Sequence, residues 1–200
     1  MINLHQYKQE QKSVNPIRTS VLSLILIIPG FFIFGVPYSL IWGFENLAQK
    51  VLSSLSLSFG TDVFDFILDL ALLGLGSIIH VFIHGIVWAY FAKDKFKSIK
   101  FGVFWRMLSP YCFCIEPLKL NNYRLGIILP TLIVSILPGV ISIWLQNPDL
   151  LIFSAFMLIL SSSDFYLLYL LKGVRKDALV LGMPIETGCY IFTPFTANRK

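Results

Sequence analysis

Residues 76–85 read GSIIHVFIHG and place two histidines four positions apart inside a long apolar run. On an α-helix this spacing puts His80 and His84 on one face, about one turn apart. Two imidazoles in that arrangement can bind a single metal ion, as they do in the H-E-x-x-H motif of zinc proteases. Here the residue after the first histidine is Val81 rather than glutamate. The stretch therefore predicts a metal site that lacks the usual acid.

The composition of the chain indicates a polytopic membrane protein. Of its 200 residues, 56% are hydrophobic and only 14% are charged, whereas soluble domains carry roughly 25% charged residues. Ionisable groups within a membrane are rare and usually functional, which favours metal binding over the alternative, a pair of hydrogen-bonded core histidines. The three cysteines form no regular framework, which argues against a disulfide scaffold.

Four apolar segments are long enough to cross a bilayer as helices, which requires ~20 residues each. They cover approximately residues 19–44, 63–92, 125–146 and 150–171. The predicted fold class is an all-α polytopic membrane protein, with four transmembrane helices and a small cytoplasmic β-hairpin at about 99–118, in a single domain spanning 1–200. We also expect a short helix at the membrane surface within 45–61. Alternation in the tail, 172–200, predicts a strand at 178–195 that extends the hairpin.

The positive charges of the chain predict its orientation. All 16 lysines and arginines except Lys50 fall in the N-terminal segment, the connection between the second and third spans, or the tail. The positive-inside rule makes that side cytoplasmic, so we expect both termini inside and the protein in the inner membrane. This topology explains the net charge of +5 better than nucleic-acid binding does, and we expect no nucleic-acid partner.

A buried carboxylate lies at a depth that matches the histidines. His84 is eight residues from the predicted cytoplasmic end of its span, and Asp164 is eight residues from the end of the fourth span. Eight helical residues rise about 12 Å, and a lone carboxylate at such depth needs a partner. Two imidazoles and one carboxylate are a common zinc ligand set with an open fourth position. The alternative is an Asp–His hydrogen-bonded pair that holds the helices together.

Together, H-x-x-x-H-G on a membrane helix, a basic aromatic hairpin, a proline-bearing span and a last span with Ser-x-x-Asp carry a resemblance. Over roughly residues 65–190 the chain resembles the bacterial membrane "putative zincin peptidase" family of unknown function, which is similar in layout to the site-2 proteases. The resemblance implies that His80 and His84 are zinc ligands and that Asp164 is the family's late aspartate. It also implies that the family's catalytic glutamate falls on Val81, which cannot carry a proton.

The missing glutamate decides which function the resemblance implies. In zincins it takes the proton of the metal-activated water and passes it to the leaving amine. Glu116 on the hairpin is a candidate substitute, and the alternative is a solvated or lysine-paired loop glutamate. Cys112 and Cys114 are candidate accessory ligands.

Three functions follow from this sequence. The first is a zincin-like metalloprotease homologue that binds zinc, has lost hydrolysis, and acts by binding membrane proteins or peptides in the lipid bilayer. The second is an active intramembrane metalloprotease with another base. The third is a small transporter or proton relay built on the His/Asp cluster, for which Asp65 and Asp69 are the only sign of a polar entrance.

Overall fold

The computed structural model describes residues 7–13, 16–55, 62–104, 109–183 and 188–195. Within these ranges the chain is mostly helical. The helices are α1 Pro16–Gly30, α2 Val36–Trp42, α3 Phe44–Leu55, α4 Asp62–Phe91, α5 Leu120–Thr131, α6 Leu137–Leu145, α7 Pro148–Leu160 and α8 Ser162–Leu170. The strands are β1 Tyr7–Ser13, β2 Ile99–Phe104, β3 Ser109–Cys114, β4 Leu118–Lys119, β5 Leu179–Gly182 and β6 Gly188–Pro194. Residues 105–108 of the predicted hairpin, residues 184–187 of the predicted tail strand and residues 196–200 of the tail lie outside the described residues.

In this described part of the chain, four helical segments are long and apolar enough to cross a membrane, as the sequence predicts. They are Ser23–Trp42, Ile67–Phe91, Leu120–Leu145 and Pro148–Leu170. Two of these spans each contain two α-helices. In the first, α1 joins α2 through the π-helical segment Phe31–Gly35, and in the third, α5 joins α6 through the π-helical segment Leu132–Ile136. A proline follows each of these segments, Pro37 after the first and Pro138 after the second. Because proline has no backbone N–H, it cannot donate to the carbonyl four residues earlier, which lies inside the π segment, and this accounts for the local change of helix type.

The third span begins earlier than predicted, because α5 already starts at Leu120. Arg124 lies inside α5, and its guanidinium donates a hydrogen bond to the Leu171 carbonyl. Leu171 follows the end of α8, where helix carbonyls lack intrahelical donors. The charge of Arg124 is thus directed onto a helix C-terminus, where a cation is favourable.

The described residues are mostly helical, as predicted, but they contain more strands than the predicted hairpin. One antiparallel sheet has four strands in the order β1-β6-β5-β4, and the hairpin β2–β3 forms a separate two-stranded sheet. The tail strands pair with each other, β6 also pairs with β1, and β5 also pairs with the short strand β4, so neither tail strand pairs with β2 or β3 of the predicted hairpin. Val180, Cys189 and Ile191 are almost fully buried, and the burial of these side chains stabilises the tail strands as a sheet.

Packing divides the described residues into two compact units. The sheet unit takes its residues from 1–19, 81–129 and 163–200, and the helical unit takes its residues from 20–80 and 130–162. The core of the sheet unit includes Trp88, Tyr123 and Leu171. In the helical unit, the absence of a side chain at Gly139 makes room for the buried ring of Phe34. Such units need not be separate domains, so the single domain at 1–200 stays a prediction.

The predicted short helix after the first span is present as α3. Its Leu47 is buried, while Val51 and Leu52 are exposed. The Lys50 ammonium lies 2.6 Å from a carboxylate oxygen of Asp149, which ties α3 to the start of α7. The location of this helix at a membrane surface stays a prediction, and residues 56–61 lie outside the described ranges.

Candidate metal centre

Helix α4 carries both histidines in one uninterrupted run of 30 residues. His84 is buried at 7% exposure and His80 is half-buried. The glycines on either side of the two histidines, Gly76 and Gly85, leave room for bulky side chains from neighbouring elements. A side chain at Gly76 would meet the ring of Phe153 at 2.8 Å, and one at Gly85 would meet the ring of Phe101. The small residues of this stretch therefore serve close packing around the histidine turn.

Asp164 lies in the first turn of α8, a position where the helix dipole favours an acid. The predicted fourth span is divided here, because α7 ends at Leu160 and α8 begins at Ser162. The Asp164 side chain is only 10% exposed, and its Oδ1 lies 3.4 Å from Nε2 of His84. The start of α8 thus places the Asp164 carboxylate directly against the His84 imidazole.

The structure brings the three predicted site residues together. One ligand atom from each of His80, His84 and Asp164 lies within 4.8 Å of the others. Zinc bonds nitrogen and oxygen at about 2.0–2.2 Å, so two ligands of a tetrahedral ion stand about 3.3 Å apart. The measured 3.4 Å between His84 and Asp164 already matches that spacing. By donor chemistry and by separation, the cluster can hold a metal ion.

An aromatic stack supports the His84 ring from the C-terminal end of α4. The Trp88 indole lies 5.2 Å from the imidazole and stacks on Tyr123 at 5.1 Å. Its Nε1 donates to the Tyr123 carbonyl at 3.2 Å, and the ring fills the space that a side chain at Gly126 would need. Sequence reasoning missed Trp88, although its i+4 spacing from His84 places it on the same helix face.

The β2–β3 hairpin packs on α4 at the motif turn. Phe101 stacks on Phe82 with ring centres 5.9 Å apart. The Cys112 thiol donates to the Val81 carbonyl at 3.3 Å. Burial, and to a smaller extent the negative charge of Asp164, raises the pKa of Cys112 to about 12. Cys114, in contrast, is fully buried in the core of the sheet unit.

Glu116 lies just after the hairpin and organises the loop that follows α4. Its carboxylate accepts hydrogen bonds from the Ser98 hydroxyl, from the Lys93 N–H at 2.9 Å and from the Asp94 N–H at 3.2 Å. The Ser98 hydrogen bond, ahead of the two backbone bonds, holds the pKa of Glu116 below its usual value. Glu116 does not join the His80–His84–Asp164 cluster.

This fold and site define a class of protein, a set of apolar membrane-type helices with a His/His/Asp cluster suited to a metal. The comparison with known families agrees, because the model of the family described as "Putative zincin peptidase" matches residues 73–179. That is more than half of the chain, and the protein belongs to this family. Neither a curated protein nor a solved structure matches it.

Proposed function

We propose that this protein is an integral membrane zincin homologue that binds zinc through His80, His84 and Asp164 and has lost peptide hydrolysis. The observation that carries the proposal is the pairing of an assembled ligand cluster with Val81 at the position next to His80. We propose that the protein acts by binding membrane segments or partner proteins.

The donor set supports zinc in particular. Two imidazole nitrogens and one carboxylate oxygen suit this borderline ion, and three protein ligands leave a fourth position for another group. When bound, zinc supplies a Lewis acid that polarises a carbonyl and activates water. Within this chain, Asp164 orients the His84 ring and offsets the ion's charge, and Trp88 restricts where that ring can turn.

The loss of hydrolysis follows from proton transfer. A positioned acid or base contributes typically about 10²–10⁴-fold to such reactions. Val81 has no titratable group, and its carbonyl accepts the Cys112 thiol. Glu116, the candidate substitute, is already engaged by Ser98 and two backbone N–H groups. Its lowered pKa makes it a poor proton donor near neutral pH.

The transporter or proton-relay alternative receives less support. Its relay would need hydroxyls that can pass protons, but two buried serines in α7 and at its C-terminal end donate to the helix backbone instead. Ser154 donates to the Leu150 carbonyl and Ser161 donates to the Met157 carbonyl, each four residues back. Asp69 is exposed, and the side chain of Asp65 lies outside the described part.

We further propose the layout of a site-2 protease and an inner-membrane location with both termini in the cytoplasm. The support is the lysine and arginine asymmetry, in which only Lys50 falls on the opposite side. Two exposed aromatic residues, Tyr90 and Tyr169, lie at the ends of their spans on the lysine-rich side. Tyrosines prefer such membrane–water interfaces.

A cleavage assay tests the loss of hydrolysis. Zinc-loaded wild type in detergent is expected to leave membrane-segment and casein-type substrates intact, because no group delivers a proton to the leaving amine. Val81→Glu restores that group, so it is expected to raise cleavage above background. Val81→Gln is the matched control, since it has the shape without the charge. Robust wild-type cleavage that His80→Ala abolishes would contradict the proposal and make Glu116→Gln the next variant to test.

A further inference from the structure

We propose that the loop that follows α4 is a binding site for the headgroups of anionic phospholipids. The loop, residues 93–97, reads KDKFK. It comes directly after Phe91 and Ala92, and Phe91 is the last residue both of α4 and of the second candidate membrane span. A loop in this position lies at the level of the lipid headgroups. The inference is independent of zinc binding and concerns a surface outside the metal centre.

The first support is the shape of this loop. All five of its residues are exposed, and they form an open cavity of about 380 Å³. The cavity is lined by Lys93, Asp94, Lys95, Phe96 and Lys97. The residues on either side of the loop, Ala92 and Ser98, are buried. The loop is therefore anchored at both ends, while the charged side chains between them remain accessible to a ligand.

The second support is that the backbone of the loop is held in place without use of its lysine side chains. The Glu116 carboxylate accepts hydrogen bonds from the N–H groups of Lys93 and Asp94, and the Lys97 N–H donates to the Asp94 carbonyl at 3.1 Å. Among the residues that the structure describes, the ammonium groups of Lys95 and Lys97 form no ion pair with a carboxylate. A preorganised loop loses little conformational entropy when it binds a ligand.

The third support is the backbone conformation of Lys95. Its φ of 51° lies in the left-handed region, where glycine and asparagine are favoured and a lysine is uncommon. A lysine at this position carries conformational strain that an asparagine would reduce, and such strain clusters at ligand-binding sites. The turn itself does not require a lysine, so the strain supports a role for the ammonium group in binding an anion.

The chemistry of the loop fits a lipid rather than a free anion. Basic residues beside a membrane span attract anionic lipids, and the three lysines of the loop outnumber its one aspartate. Between two of these lysines lies Phe96, whose side chain is 56% exposed. At a membrane surface this ring can enter the apolar boundary while the ammonium groups reach the phosphates. The positive-inside rule accounts for lysines on this side of the membrane, but not for their convergence with Phe96 on one surface.

Lipid titration of the purified full-length protein tests the inference. The protein in a neutral detergent is titrated with a fluorescent phosphatidylglycerol, and with phosphatidylcholine of the same chain length as the control without net charge. We expect only phosphatidylglycerol to bind. The double variant Lys95→Asn/Lys97→Gln should weaken this binding by about fivefold for each lysine removed. Its Tm should not fall, because asparagine suits the left-handed conformation at position 95.

The matched control is Lys172→Gln/Lys176→Gln, which removes two exposed lysines that follow the fourth span. It should bind phosphatidylglycerol as tightly as wild type does. Phe96→Ser should weaken that binding at unchanged charge, because it removes the apolar contact. Equal losses in the two double variants would reduce the effect to net charge and overturn the inference. Equal binding of the two lipids, or binding of inorganic phosphate as tight as that of phosphatidylglycerol, would also overturn it.

Discussion

Asp164 and Glu116 both carry a carboxylate, but they differ in burial and in the groups that surround them. Asp164 is buried at the start of a membrane helix, with an imidazole at 3.4 Å and a second histidine in the same cluster. Glu116 lies at the end of the hairpin, where a serine hydroxyl and two backbone N–H groups donate to it. One acid faces residues that bind metals, and the other faces groups that shape a loop.

The contrast teaches how to separate a functional acid from a structural one. Backbone N–H groups are partners that stabilise a carboxylate in a fixed place, and they leave it little capacity for chemistry. Imidazoles are themselves metal ligands and titratable groups. A carboxylate beside them therefore completes a set of metal ligands rather than the hydrogen bonding of a loop. By this criterion Asp164 belongs to the site and Glu116 to the scaffold.

The largest effect should come from removing one acid and not the other. Asp164→Ala is expected to lower the zinc content of purified protein from close to one ion per chain to close to none, because two imidazoles alone hold the ion weakly. Glu116→Ala should leave it unchanged. Elemental analysis after gel filtration measures both. Full zinc in Asp164→Ala would remove the distinction between the two acids.

The lysine and arginine asymmetry predicts that the Glu116 loop lies on the cytoplasmic side of the membrane, which topology reporters test. Fusions after Lys97, beside the Glu116 loop, should report a cytoplasmic location, and fusions after Gln49 should report an external one, because of the positive-inside rule. Each site should be active with only one of two reporters, alkaline phosphatase or a fluorescent protein. A cytoplasmic signal at Gln49 would overturn the four-span orientation.

A smaller effect is expected from the packing that supports His84. In Gly126→Ala the new methyl group collides with the buried Trp88 indole, and such overpacking costs typically about 1–3 kcal/mol. For a chain of this size each kcal/mol lowers Tm by about 2–4 °C. Zinc affinity should fall as well, since Trp88 contacts the imidazole.

The matched control is Gly74→Ala, in the same helix as the histidines. A side chain there meets nothing within 4 Å, and alanine favours a helix over glycine by about 1 kcal/mol. Tm should rise slightly or stay the same, and zinc affinity should not change. An equal loss of stability in the two variants would indicate that helix glycines are sensitive in general, and not the Trp88 contact.

The smallest effect is expected at Glu116. Glu116→Gln weakens hydrogen bonds worth on the order of 1 kcal/mol. Because its pKa is lowered on folding, the carboxylate stabilises the native state above the ordinary pKa of glutamate and loses that effect as pH falls through the lowered pKa. Wild type and variant should therefore differ in Tm at pH 7 and converge in strong acid. A difference that grows with acidity would contradict this role.

Most of the helical architecture could be predicted because membrane spans depend on length and hydropathy, which are local properties. The pairing of His80 and His84 could be predicted from helix spacing, and Asp164 from its matched depth. The break between α7 and α8 at Ser161 was not foreseen, since it depends on how Asp164 starts a new helix rather than on composition.

The four-stranded sheet is the part of the fold that could not be predicted from the sequence. Strand β1 is polar along almost its whole length, with an exposed pattern that gives no alternation to detect. It forms because β6 offers it a complete antiparallel register, from Tyr7 opposite Pro194 to Ser13 opposite Gly188. A strand that depends on a partner 180 residues away along the chain leaves little local sign of itself. The role of Glu116 was hidden for the same reason, because its donors lie 18 to 23 residues earlier.

The contact between Trp88 and His84 provides an intrinsic fluorescence signal for metal binding. An indole at 5.2 Å from an imidazole, shielded from solvent at 5% exposure, emits light whose intensity responds to what the neighbouring ring binds. A paramagnetic ion such as Co²⁺ at that ring would quench the emission, and Zn²⁺ added in excess would displace it and restore the signal. The occupancy of the centre can thus be followed in a cuvette, in real time and without a label.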